Sequence, residues 1–97
     1  MQKLTKARLE QILRKALKLH TAAFLLEKSG QRIFGSIISE KFKGKRDLAR
    51  QEMIWDALEK TLGAEAVLRV GMLLAYTPDE WEMGERVAAK LTRAMAS

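Results

Sequence analysis

Two runs of strand-forming residues, HTAAFLLEK (20–28) and RIFGSIIS (32–39), are separated only by SGQ at Ser29, Gly30 and Gln31. So short a connection, with glycine in it, leaves little choice but a tight turn, and the two runs must pair as an antiparallel hairpin. This constrains the fold more than any other feature, because each neighbouring segment must then cover that hairpin or extend it. Gly35 falls in mid-strand. A glycine there predicts a bulge or a close neighbour.

The flanking segments change period. Leu4 and Thr5 followed by Leu9 read as a helix start, with Thr5 as cap and Leu4 and Leu9 as the flanking apolar contact. Leu9, Ile12, Leu13 and Ala16 line one face of a first helix over about residues 5–18. After Gly44 the period is helical again. Leu48, Gln51, Ile54, Trp55, Leu58 and Leu62 form one stripe, with Arg50, Glu52, Asp56, Glu59 and Lys60 outside it. Gly63 closes this second helix, about 45–62. AVLRVGMLLAY (66–76) alternates as a third strand, with Leu68, Val70, Met72, Leu74 and Tyr76 on one face and Val67, Leu73 and Ala75 on the other. The opposite set is left to be covered by the last helix or to pair in a dimer. Thr77-Pro78 starts that helix, about 78–95, with Asp79, Glu80 and Glu82 at its positive end. Trp81, Ala88, Leu91 and Met95 align along one side of it.

The predicted order is therefore αββαβα. A helical crossover between the second and third strands permits a parallel pair. The expected fold is α/β, more closely an α+β two-layer sandwich with a three-stranded mixed sheet packed by helices. Its 97 residues suit one domain over 1–97, with a core about 5–82. Monomer and weak homodimer are both open.

Charge is unevenly placed. Net charge is +6, yet residues 1–50 hold 13 Lys/Arg against 4 Asp/Glu, while residues 51–97 hold 5 against 8. A basic half joined to an acidic half points to one positive surface that attracts nucleic acid or an acidic protein. Ordinary solubilising charge is the other explanation. No apolar run approaches the length of a membrane span, and MQKLTKARLE has no signal-peptide pattern. The absence of cysteine rules out disulfides within the chain and fits a cytoplasmic protein.

Catalytic patterns are missing. There is no phosphate loop, nucleophile elbow, His-Glu-x-x-His or cysteine nucleophile, so a non-enzymatic protein without a cofactor is expected. Asp79-Glu80 is explained by the helix dipole. His20 is the sole histidine and reads as a half-buried structural residue. Alone and without cysteine it cannot complete a tetrahedral metal site. The basic loop Lys41, Lys43, Gly44, Lys45 and Arg46, with Arg50 one turn into the helix, is the candidate anion site. Glycine permits close backbone approach, and free helix N-terminal amides bind phosphate oxygens. Lys6, Arg14 and Lys18 could extend that positive surface, and Phe42 is expected in the core. GKRD has only the first glycine of a Gly-x-x-Gly nucleic-acid loop, so that motif is not met. Gln51 stands on an apolar stripe and needs hydrogen-bond partners if buried. It either bonds backbone or water at the open end of the core, or lines a partner-facing groove.

Ser39, Phe42, Gly44, Lys45, Arg50, Ile54 and Leu58, followed by Thr77, Pro78, Glu80 and Trp81, resemble the two ordered motifs of the BolA family, and the likeness spans about residues 7–82. The resemblance implies a class II KH-like fold. It also implies one of two roles: a DNA-binding transcriptional regulator linked to stress and cell shape, or a partner of monothiol glutaredoxins that shares an iron–sulfur cluster. In that family a cluster-linked histidine follows the motif arginine, where this chain has Gln51. The second family ligand, in the loop between the first two strands, has no counterpart in EKSGQR. Glutamine is a poor iron ligand beside histidine or thiolate. The resemblance thus carries the fold over, without the cluster.

Overall fold

The computed structural model describes residues 4–96, with the side chains of residues 65, 66, 92 and 94–96 outside the description. The elements are α1 (Lys6–Ala16), β1 (Ala23–Ser29), β2 (Arg32–Ile38), α2 (Asp47–Val67), β3 (Val70–Tyr76) and α3 (Pro78–Ala96). A short 3-10 turn, Glu40–Phe42, joins β2 to the basic loop. This is the expected αββαβα order with a three-stranded mixed sheet. β1 and β2 are antiparallel, β2 and β3 are parallel, and β2 is central.

Local chemistry accounts for the boundaries. Thr5 caps α1 by accepting from the Arg8 amide at 3.1 Å, and Leu4 is buried with Leu9 beneath it. The helix ends at Ala16, not at 18, because Lys18 takes a positive φ of 55° and turns Leu19 back into the core. His20 and Thr21 are then spent on the connection to β1. His20 is exposed there, not half-buried as expected. Gly63 (φ 80°, ψ 168°) breaks α2 where the expected C-cap stood, although a short helical segment continues to Val67. Gly35 is required by contact: an added Cβ would stand 2.0 Å from the Leu25 carbonyl oxygen.

Leu9, Leu13, Ile33, Ile37, Phe42, Ile54, Leu58 and Leu73 are completely buried between the sheet and the layer of α1 and α2. Apolar burial of this kind supplies most of the favourable folding free energy. Two expectations about which side faces in are corrected. The β2–β3 register shifts between Ile33 and Gly35, because Ile33 pairs with Val70 but Gly35 pairs with Leu73. The extra residue on β3 exchanges its faces, as a bulge does. Val70, Leu73 and Ala75 enter the core, while Met72 and Leu74 are exposed. On α2 the expected stripe holds at Ile54 and Leu58, which are fully buried, but the buried face is rotated toward Arg50, only 5% exposed, and away from Leu48, which is 71% exposed.

The outer sheet face carries Leu25, Phe34 and Leu74, each partly exposed. α3 leaves the sheet at Thr77, and Trp81 meets Tyr76 edge to face at 5.5 Å between ring centroids. Met95 lies outside the described side chains.

Candidate anion-binding surface and the groove beside it

The loop between β2 and α2 is built from the inside out. Ser39 is buried, and its hydroxyl accepts from the Lys41 amide at 3.1 Å. Phe42 is fully buried, as expected, and anchors the loop to the core. The amides of Lys43 and Lys45 bond the carbonyls of Glu40 and Phe42 at 3.0 and 3.1 Å. With the backbone tied down and Phe42 inside, the side chains of Lys41, Lys43, Lys45 and Arg46 are left in solvent. None of the four forms an ion pair among the described residues. No atom lies within 4 Å of where a Gly44 Cβ would stand, so the loop is open on that side. The first i−4 bond of α2 runs from the Arg50 amide to the Arg46 carbonyl at 3.0 Å, so the amides of Asp47, Leu48 and Ala49 precede the helical ladder at this end.

Arg50 does not join this group. Its guanidinium turns inward and makes four hydrogen bonds. Nε donates to the Lys45 carbonyl at 2.8 Å and Nη1 to the Ala75 carbonyl at 3.1 Å. Nη1 and Nη2 also hold the Glu80 carboxylate, at 2.6 and 3.1 Å. Glu80 in turn closes a capping box: its Oε1 accepts from the Thr77 amide at 2.8 Å, and its own amide donates to Thr77 Oγ1 at 3.2 Å. The Arg50 hydrogen bonds, then the Thr77 amide, hold the Glu80 carboxyl down at about 2, below the usual carboxylate range. Arg50 thus ties the basic loop, β3 and the start of α3 together. The Thr77-x-x-Glu80 spacing was the sequence signal for this, as the capping-box pattern.

Gln51 is half-buried beside it. Its Nε2 donates to the Leu73 carbonyl at 2.8 Å, and its Oε1 accepts from Trp55 Nε1 at 3.2 Å. Tyr76 O bonds the Ser39 amide on the β2 side. By alternation the Leu73 and Ala75 carbonyls point to the free edge of β3. Gln51 and Arg50 therefore block two acceptors of an edge strand, which would otherwise invite another strand. Asp47, Arg50, Gln51, Met72, Leu74, Ala75 and Tyr76 line a shallow groove of about 430 Å³ along that edge.

The other candidates sit apart. Arg14 pairs with Glu10 at 3.0 Å, donates to the Ala22 carbonyl and lies 5.0 Å over the Phe24 ring. Lys6 and Lys18 are exposed at the two ends of α1. Among the described residues no three His, Cys, Asp or Glu side chains cluster as a metal site, and His20 stands at the α1–β1 connection. The residues present therefore do not fit an iron–sulfur cluster: there is no thiolate, and the amide of Gln51 is already used at both ends.

The fold is that of the BolA proteins. A BolA protein homologue from Coxiella burnetii superposes with a TM-score of 0.64 at 22% identity, over 81% of this chain and 97% of that one. A bol-like protein from Babesia bovis gives 0.59 at 24% identity, over 87% and 96%. The BolA domain of SufE1 from Arabidopsis thaliana gives 0.57 at 22%, over 79% and 98%. The sequence alone matches no family model and no curated protein. No helix among the described residues is long and apolar enough to cross a membrane.

Proposed function

We propose that this chain is a non-enzymatic, BolA-like regulatory protein that binds nucleic acid through its basic loop and the start of α2. The observation that carries this reading is the set of four exposed cations, Lys41, Lys43, Lys45 and Arg46, around Gly44 at the head of a helix, none of them in an ion pair among the described residues. Contacts of this kind go to phosphates and carry little base reading. Fluorescence anisotropy with a short DNA duplex and a short single-stranded RNA, each across a salt series, tests it. Binding should weaken steeply with salt. Lys43→Ala, Lys45→Ala and Arg46→Ala combined should flatten the log–log slope by about 2 to 3 on duplex DNA. Binding that ignores salt, or a slope unchanged in the triple variant, refutes the reading.

The groove favours a second reading, a protein-interaction adaptor that docks a monothiol glutaredoxin without sharing a cluster. Leu48 and Met72 are 71% and 70% exposed, and the groove that Met72 lines runs beside the basic loop. A polar groove residue such as Gln51 with apolar neighbours suits a protein surface. Co-elution of the two proteins at micromolar concentration supports this reading; separate elution refutes it.

A further inference from the structure

α1 carries a second row of cations, apart from the basic loop. Arg8, Gln11, Lys15 and Lys18 recur at intervals of three and four, so they follow one side of the helix and its end. All four are exposed, and Arg8, Lys15 and Lys18 form no ion pair among the described residues. Gln11 and Lys15 are shared by two adjoining clefts. One, of about 670 Å³, also takes in Arg8 and is lined on its other side by Thr61 of α2. The second, of about 500 Å³, runs on to Lys18 and His20. Among the described residues no carboxylate lines either cleft. Glu10, the only acidic residue of α1, is paired instead with Arg14 at 3.0 Å.

The charge of the clefts selects an anion, and their lack of apolar anchors selects a phosphate chain over a protein. Ile12 and Leu19, which line them, are only 5% and 2% exposed, and no large exposed apolar side chain among the described residues belongs to α1. Protein interfaces concentrate their binding energy in such anchors. Phosphate contacts need only cations and polar donors, which Arg8, Gln11, Lys15 and Lys18 supply. Length agrees. From Arg8 to Lys18 the row reaches about 15 Å, over which one strand of a duplex presents about four phosphates.

Topology brings the row and the loop to one end of the sheet. Ala23, which opens β1, pairs with Ile38, which closes β2. α1 therefore ends, and the basic loop begins, at that same end. Arg14 fixes the end of α1 there by donating to the Ala22 carbonyl at 3.1 Å.

We propose that the α1 row is a second phosphate-binding surface, which holds the backbone of the same DNA duplex whose other phosphates lie on Lys41, Lys43, Lys45 and Arg46. It rests on nucleic-acid binding by the basic loop and adds a separate set of contacts.

Anisotropy titrations across a salt series, with a duplex of about two helical turns, test this. Arg8→Gln, Lys15→Gln and Lys18→Gln combined should flatten the log–log slope by about 2 to 3. Adding Lys43→Ala, Lys45→Ala and Arg46→Ala should flatten it by about 4 to 6 in all, since contacts at separate sites add. Glutamine keeps the helix propensity of the residues it replaces, so circular dichroism should show the α1 variant folded. A slope unchanged by the α1 variant, while the loop variant still flattens it, overturns the second surface and leaves binding by the loop standing. A slope that falls with the α1 variant but not with the loop variant removes the loop from the site and overturns the shared path. A wild type with no affinity for the duplex at low salt overturns both. Polyglutamate that displaces the duplex from the wild type, but not from the α1 variant, assigns the row to an acidic protein and overturns the proposal.

Discussion

Arg50→Met removes the guanidinium while keeping much of the buried stem. Four hydrogen bonds are lost, to the carbonyls of Lys45 and Ala75 and to both oxygens of Glu80. The Glu80 side chain is 47% exposed, so the ion pair is discounted for solvent to about 1 kcal/mol. The Ala75 carbonyl bond is buried, and orphaning it costs about 1–3 kcal/mol. The total comes to about 3 kcal/mol, which for a domain of this size lowers Tm by on the order of 15 °C. Urea and thermal unfolding at neutral pH, followed by circular dichroism, read this directly. The same variant, measured cold and folded, should keep its affinity for duplex DNA, because the guanidinium does not reach the surface. A loss under 1 kcal/mol would mean the guanidinium is solvated. A folded variant with strongly weakened DNA binding would return Arg50 to the anion site.

Other consequences follow from single contacts. Glu80 has its pKa lowered to about 2 when folded, so its contribution is complete above its ordinary carboxylate range and is lost as pH falls through that range toward 2. In acid titrations Glu80→Gln should remove that part of the stability–pH slope, and a slope identical to wild type would contradict the pairing. Gly35→Ala should destabilise by more than about 2 kcal/mol in urea, since the new Cβ would meet the Leu25 carbonyl. Gln51→Leu orphans the Leu73 carbonyl and the Trp55 indole N–H, which should cost about 1–2 kcal/mol and shift tryptophan emission. The wild-type chain mixed with a cluster-loaded monothiol glutaredoxin should leave the visible absorption unchanged. A band appearing only with Gln51→His would identify this position as the one that lacks a ligand.

Much of the fold could be read in the sequence because the signals were local. The SGQ turn, the Thr5 cap, the break at Gly63 and the Thr77-Pro78 start each depend on residues within one turn of themselves. Side-chain facing on β3 could not be read in the same way. Strict alternation placed Met72 and Leu74 with Val70, and one extra residue opposite β2 reversed the pattern beyond it. Gly35 was the sequence mark of an irregularity there, but only pairing two strands distant in sequence shows which strand carries the extra residue.

The site was less legible, for an energetic reason. A sequence reading sorts Arg50 as a surface cation, because an arginine is seldom buried unless paired. Here the partners come from 25 and 30 positions away, at Ala75 and Glu80. Gln51 looks anomalous on its helix for the same reason, since its acceptor at Leu73 lies 22 positions on. The two residues are adjacent on α2 and act on alternate outward carbonyls of β3, closing the one edge that the helix can reach. That common task separates them from Lys41, Lys43, Lys45 and Arg46, whose charges meet nothing within the described chain. Removing the inner pair should therefore change stability and leave ionic binding intact, whereas neutralising the outer four should do the reverse. The two sets of variants, measured by the same unfolding and salt-titration assays, divide the segment from Ser39 to Leu58 into a part that holds the fold and a part free to bind.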